Sequence, residues 1–317
     1  MEESTDTAAA PAQGRRLDPA LLALAEAQEG VLTTSQLRLG GYCSRALVDL
    51  VDGGVLDHPG RGLYVVAAAT REDPVARHRQ LVAGARLLYE DAVLVGATAV
   101  LAHEVPVWGA DLTHPALRRP IIRSGGMRAF WIRGGVGQSV ETGWGPASPL
   151  PDSLALLALD HGIVPGVVSA DAALRAGRVT VEELSAAVEA VATWPGGSRA
   201  VAMRSFADGR RESVGESRCG VELALVGIAV TPQVEIRRAD GSLVARVDFV
   251  VDGTNVIVEF DGKVKYADGD PSVLWREKRR EDELRALGYT LVRITWADLE
   301  RPGAVAAKVQ AAIRQCA

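Results

Sequence analysis

From Leu17 the apolar positions fall at helical spacing, with Leu21, Leu22, Leu24 and Ala25 making a stripe that Gly30 ends. Thr33-Thr34-Ser35 supplies an N-cap for a short helix over 36–39, and Gly40-Gly41 stops it. Ser44 then caps a third helix over 45–51 with Ala46, Leu47 and Leu50 inward. The period next drops to two: 55–58 and 63–66 read as strands joined by Pro59-Gly60-Arg61-Gly62. Three short helices followed by a β-ribbon are the parts of a winged helix. In such a domain the third helix leads into the DNA major groove, which puts Ser44, Arg45, Val48 and Asp49 at the groove and Arg61 on the wing.

The middle of the chain is less regular. A helix runs through Leu81, Ala85 and Leu88, and 93–102 is an apolar element leading to His103. That histidine stands alone beside Pro106 and Trp108, the setting of a packed residue rather than a catalytic one. Ser124-Gly125-Gly126 and Gly134-Gly135-Val136-Gly137 lack the Lys-Ser/Thr ending of a phosphate loop and read as turns between strands. After Pro149 come amphipathic helices: one capped by Asp152 or Ser153 and ended by Gly162, one over 170–176, and one opened by the capping box Thr180-Val-Glu-Glu183, which Trp194-Pro195-Gly196-Gly197 breaks. They read as a connector without chemistry of its own.

In the last hundred residues, 213–226 reads as a helix with Glu216 in its first turn. Strands follow at 233–237, 243–251 and 255–261, then a highly charged helix over 275–287, a strand at 289–295 and a last helix from Gly303. Asp252-Gly253 is the preferred dipeptide for a two-residue type I′ turn, which pairs Val251 with Thr254 and sets Asp248 opposite Ile257. Asp248, Ile257, Glu259, Asp261 and Lys263 then share one face, with Glu259 on the diagonal from Asp248 at roughly 7 Å. Two carboxylates so placed can hold one divalent cation between them.

Composition narrows the classes. At 317 residues, 48% hydrophobic and 24% charged, the chain has ordinary globular make-up with room for two or three domains. No run of about eighteen apolar residues and no signal-peptide pattern occurs, so a cytoplasmic protein without a membrane partner is expected, with 1–16 as a disordered tail. Cys43, Cys219 and Cys316 are odd in number and far apart, which fits neither a disulfide framework nor a zinc site. A formal charge of −5 makes no global case for nucleic-acid binding, so phosphate contacts must rest on local clusters such as Arg276-Glu-Lys-Arg-Arg280.

Two resemblances sharpen the picture. Residues 17–66, with the opening Gly30-Val-Leu-Thr-Thr-Ser-Gln-Leu37 and the close Gly60-Arg-Gly-Leu-Tyr-Val-Val66, resemble the N-terminal domain of AbiEi-family type IV antitoxins. His103-Glu-Val-Pro-Val-Trp108 is similar to a loop that follows this module in longer AbiEi-like proteins. The order αβββαβα of 213–317 resembles the common core of the PD-(D/E)XK, or restriction-endonuclease-like, nucleases. Within that group the small domains akin to very-short-patch-repair enzymes are nearest in their motifs: Glu216-Ser217-Arg218, Arg246-Val-Asp248, Glu259-Phe-Asp261-Gly262, the helix with Glu277 and Arg280, and Gly288-Tyr-Thr-Leu-Val-Arg-Ile-Thr-Trp296. The expected class is therefore α+β: a winged helix at 17–70, a helical and mixed connector at 71–210 and an endonuclease-like domain at 211–317.

The second resemblance implies phosphodiester hydrolysis with Mg²⁺ held by Asp248 and Glu259, and with Glu216 completing the shell or orienting a water. Asp261 stands where the family's E-x-K form has its lysine, a departure that moves the water-activating cation to Lys263, with Lys265 or Arg280 behind it. Lys278 and Arg280 are candidates for phosphate contact, although Lys278 can instead pair with Asp282 on a solvated face. Three functions stay open: a metal-dependent endonuclease guided by a winged helix; a DNA-binding repressor or antitoxin with an inactive nuclease-like domain and a toxin partner or a second copy; and a protein-interaction scaffold.

Overall fold

A computed structural model of the protein describes residues 16–121, 124–126, 129–262 and 271–316. The described chain is α+β and parts into two compact units, Met1–His103 with Asp111–Pro149, and Glu104–Ala110 with Leu150–Ala317. The expected boundaries at 70 and 210 each fall inside one of these units.

In the first unit, Asp18 caps α1 (Pro19–Ala27) by accepting from Ala20 N–H. A three-residue strand, β1 (Val31–Thr33), precedes α2 (Thr34–Leu39), and Thr33 and Gln36 cap that helix reciprocally. α3 (Ser44–Asp52) starts one residue earlier than expected: Ser44 is its first residue and Cys43 its cap position, with no side-chain cap bond. β2 (Leu56–Gly60) and β3 (Leu63–Val66) complete an antiparallel sheet of order β1-β3-β2. β1 is too short to show a period, and its pairing with β3 decides it. Leu21, Leu37, Leu47, Leu50 and Leu56 form the core beneath these helices.

Beyond them lie α4 (Pro74–Leu88), β4 (Val93–Leu94), α5 (Gly96–Ala102), β5 (Ala116–Arg119), β6 (Gly125–Gly126), β7 (Trp131–Gly134), β8 (Val140–Thr142) and β9 (Gly145–Ala147). The strands make a sheet of order β6-β7-β5-β4-β9-β8. Leu81, Val82 and Ala85 of α4 share one core with Val31, Leu63 and Val65 as well as Leu94, Leu117 and Ile132, which is why no seam falls at 70.

The second unit opens with a helical layer, α6 (Leu150–His161), α7 (Ile163–Arg175), α8 (Val181–Val191) and α9 (Gly197–Phe206), packed through Leu154, Leu157, Val168, Leu184 and Met203. The capping box at Thr180 and Glu183 opens α8 as expected. α7 begins at Ile163 rather than near 170, because Gly162 at φ +105° turns the chain straight from α6 into it. Trp194-Pro195-Gly196-Gly197, expected as a plain break, is the entry to α9, with Gly196 at φ +83°.

α10 (Val214–Leu225), β10 (Val230–Arg237), β11 (Leu243–Val251), β12 (Val256–Asp261), α11 (Pro271–Ala286), β13 (Thr290–Thr295), α12 (Trp296–Leu299) and α13 (Ala304–Cys316) follow. The sheet order is β10-β11-β12-β13, antiparallel except for the parallel pair β12/β13. Phe249, Val251, Val256 and Val258 pack against Cys219 and Leu223 of α10 and Val305 and Val309 of α13. Burial pushes the Cys219 thiol up to about 12, an inert core group.

A buried polar node joins the helical layer to α10 across residue 210. Asp171 of α7 accepts from Asp208 N–H (2.7 Å), Ser217 Oγ (2.8 Å) and Arg211 Nη1 (3.1 Å). Gly220 is the reason the guanidinium fits: a Cβ there would lie 2.6 Å from Arg211 Nε.

Candidate active site

The hairpin that carries the acidic residues differs from expectation in its turn. Phe249 pairs with Val258 and Val250 with Ile257, so residues 252–255 form the connection and Ile257 lies opposite Val250 instead of Asp248. A type I′ turn needs φ > 0 at both central residues, and only Gly253 of the Asp252-Gly253 pair has it. Thr254 closes the longer loop: its Oγ1 donates to Val251 O (2.9 Å) and accepts from Val256 N–H (3.0 Å). The slip is by two residues, an even number, so the paired residues Phe249, Val250, Ile257 and Val258 keep the faces expected of them.

Past Phe249–Val258 the ladder stops. The N–H of Phe260 is taken by Asp248 Oδ2 at 2.8 Å in place of a strand partner. Asp248 thus ends where β11 and β12 part. Phe260 packs edge-on against Trp296, with centroids 5.0 Å apart, and against α10 at Gly215, where a Cβ would lie 2.0 Å from the ring.

Two further carboxylates stand around Asp248. Glu216, buried in the first turn of α10, accepts at Oε2 from Glu212 N–H and from Gln233 Nε2, both 2.9 Å. Glu259 is held by Arg280 of α11 in a two-pronged ion pair, Nη1 to Oε1 at 2.9 Å and Nη2 to Oε2 at 3.2 Å. Arg280 also meets Glu277 at 3.1 Å. Burial pushes the Asp248 carboxyl up to about 6; the Phe260 N–H and Arg280 oppose the rise, and the charges of Glu216 and Glu259 add to it. Three acids and one guanidinium therefore interact at one place.

The remaining expected residues are more scattered. Asp261 ends β12 opposite Thr295 and is exposed. Lys263 and Lys265 lie outside the described residues. Lys278 is exposed on α11 and makes no pair with Asp282, whereas Arg280 pairs with Glu277 and Arg285 with Glu281 along that helix. Ser44, Arg45, Val48 and Asp49 are all exposed on α3, and Arg61 on the β2–β3 turn, but Arg45 is paired with Asp49 at 3.2 Å. His103 is packed, with Nε2 2.8 Å from Ser148 O. Gln233 and Gly215 were not anticipated. A glutamine in a strand carries no pattern signal, and the need for glycine at 215 comes from a ring 45 residues further on.

The donors suit a hard divalent cation. Asp248 Oδ1 and Glu216 Oε1 accept no hydrogen bond from the described residues. Mg²⁺ is commonly held by one or two carboxylates with water and phosphate making up the rest. Among the described residues no group of three or more His, Cys, Asp or Glu is arranged to hold a metal ion. No helix among them is long and apolar enough to cross a membrane.

No family model matches the chain. Uncharacterized protein MT2308 of Mycobacterium tuberculosis (strain CDC 1551 / Oshkosh) is similar to it, 33% identical over 143 residues. So is uncharacterized protein Rv2248 of Mycobacterium tuberculosis (strain ATCC 25618 / H37Rv), with the same identity over the same length. The match takes in 44% of this chain and 51% of each relative, so the chain spans about half the length of the curated relatives it matches.

Proposed function

We propose that residues 211–317 form a metal-dependent nucleic-acid endonuclease of the PD-(D/E)XK kind, and that the N-terminal helices and ribbon are a winged-helix DNA reader. The observation that carries this reading is Asp248 at the point where β11 and β12 part, within reach of the charges of Glu216 and Glu259. The order α10-β10-β11-β12-α11-β13-α13 and the five spaced motifs support it.

Mg²⁺ would supply Lewis-acid charge to a phosphate at this place. Asp248 and Glu216 are the residues to hold it, each offering an oxygen that the described protein leaves unbonded. Glu259, first expected as a ligand, has both oxygens on Arg280 and joins only when that guanidinium moves. Arg280 pairs with Glu259 and its charge is felt at Asp248, and its planar fork suits a phosphate as well as a carboxylate. On α3 the Arg45–Asp49 pair balances its own charge, so Ser44 and Arg61 carry the polar contacts with DNA there.

Incubation of supercoiled plasmid with the full chain, with and without Mg²⁺, tests the reading. Nicking that Asp248→Ala abolishes is the expected result. A second reading is favoured by the Glu259–Arg280 pair and by Asp261 at the lysine position: a DNA-binding regulator, antitoxin-like, whose nuclease-like domain does not cut. Salt-sensitive duplex binding without any nicking would establish that alternative.

A further inference from the structure

The edge strand β10 holds an irregularity at this site. Pro232 pairs with Phe249 and Val234 with Val247, so Gln233 falls at the register position of Asp248. Its backbone is in the left-handed region, φ +58°, which among the described non-glycine residues only Glu29 and Glu104 share. Glutamine has no intrinsic reason to be there; side chains beyond Asn and Asp adopt that conformation rarely. Pro232 brings no N–H to the ladder, which makes an edge strand the place where such a kink is tolerated. Residues held in sparsely populated backbone conformations cluster where function over-determines them.

The kink has a partner. Gln233 is half-buried and gives Nε2 to Glu216 Oε2 at 2.9 Å, the same oxygen that takes Glu212 N–H. Both donors meet one oxygen, so the Glu216 carboxylate is turned one way and Oε1 is left over. We infer that Gln233 is a positioning residue of the proposed metal site: its left-handed backbone delivers the carboxamide that fixes Glu216, so that Glu216 Oε1 and Asp248 Oδ1 together receive the divalent cation. This rests on the reading of the site as metal-dependent.

Substitutions at 233 separate positioning from strand shape. Gln233→Gly takes φ +58° without strain and lacks the amide; Gln233→Asn also tolerates that φ and keeps an amide, one methylene short of Glu216. Mn²⁺ affinity of the full chain is read by isothermal titration calorimetry beside the thermal midpoint of each variant. Both variants are expected to melt within a few degrees of the parent and to bind Mn²⁺ at least about tenfold more weakly, the usual cost of removing an outer-shell partner. Mn²⁺ affinity unchanged in Gln233→Gly overturns the inference while leaving the metal reading intact. Unfolding of that variant overturns it too, since the amide would then be structural. Absence of Mn²⁺ binding by the parent chain at millimolar concentration sinks the metal reading and the inference with it.

Discussion

Arg211→Ala should unfold the second unit far more easily than a surface substitution would. The side chain is 7% exposed and its partner Asp171 is 1% exposed, with Nη1 3.1 Å from Oδ2 and 2.8 Å from Phe206 O. Removing one member of a buried ion pair leaves the other charge uncompensated, a loss of about 3–5 kcal/mol. The size of the loss depends on pH. Burial already pushes the Asp171 carboxyl up to about 6 against the pull of Arg211, Asp208 N–H and Ser217. A carboxyl whose folded value lies above its unfolded value of 3.8 contributes most below that value, and the contribution is lost as pH rises through the folded one. Without Arg211 the folded value climbs further, each extra unit adding about 1.4 kcal/mol of penalty above it. The variant should therefore fall further below the parent at pH 8 than at pH 5. Urea unfolding followed by circular dichroism at the two pH values gives the comparison. A penalty that is the same at both, or below about 1 kcal/mol at pH 8, refutes the reasoning. The pair Asp171→Asn with Arg211→Met, which removes both charges, should recover most of the loss.

Gly215→Ala drives a methyl into the Phe260 ring and should cost about 1–3 kcal/mol in thermal melts; a melting point equal to the parent's would mean the ring swings aside freely. Asp298 is buried, which alone would raise its carboxyl, but hydrogen bonds from Lys308 (2.7 Å) and from the N–H and hydroxyl of Thr295 hold it well below the usual carboxylate range. Its contribution is present above the unfolded value and lost as pH falls through the folded one, so Asp298→Asn should destabilise the chain at pH 7 by about 1–3 kcal/mol and much less near pH 2, as denaturant titrations at the two values will tell. Lys278 and Arg279 are exposed and make no ion pair with the described residues, whereas Arg280 is held by Glu259. If the basic end of α11 meets phosphates, replacing both Lys278 and Arg279 by Ala should flatten the slope of log affinity for DNA against log salt by about 2; an unchanged slope places DNA elsewhere.

What the residues alone determined is local. Caps and stops at Thr33, Thr180 and Gly162, the stripes of α1, α4 and α6, and the paired strands β11 and β12 are written in neighbouring side chains, because capping and hydrophobic period act over a turn or two. The same-face placement of Ile257 and Glu259 followed from alternation, since an even slip keeps the parity, while only the structure shows that this face meets α11. Packing between distant segments decided the rest. The six-stranded sheet is built of strands as short as two residues, whose Gly- and Pro-rich sequences look like turns until partners claim their hydrogen bonds. Across the expected boundaries at 70 and 210, α4 and the Asp171–Arg211–Ser217 node bury themselves against elements on both sides. The character of the acidic site is likewise tertiary: that Arg280 closes on Glu259, that Gln233 turns Glu216, and that Asp248 caps Phe260 all depend on where helices α10 and α11 lie against the sheet. A carboxylate's chemistry is set by which donors reach it, and no spacing along the chain records that.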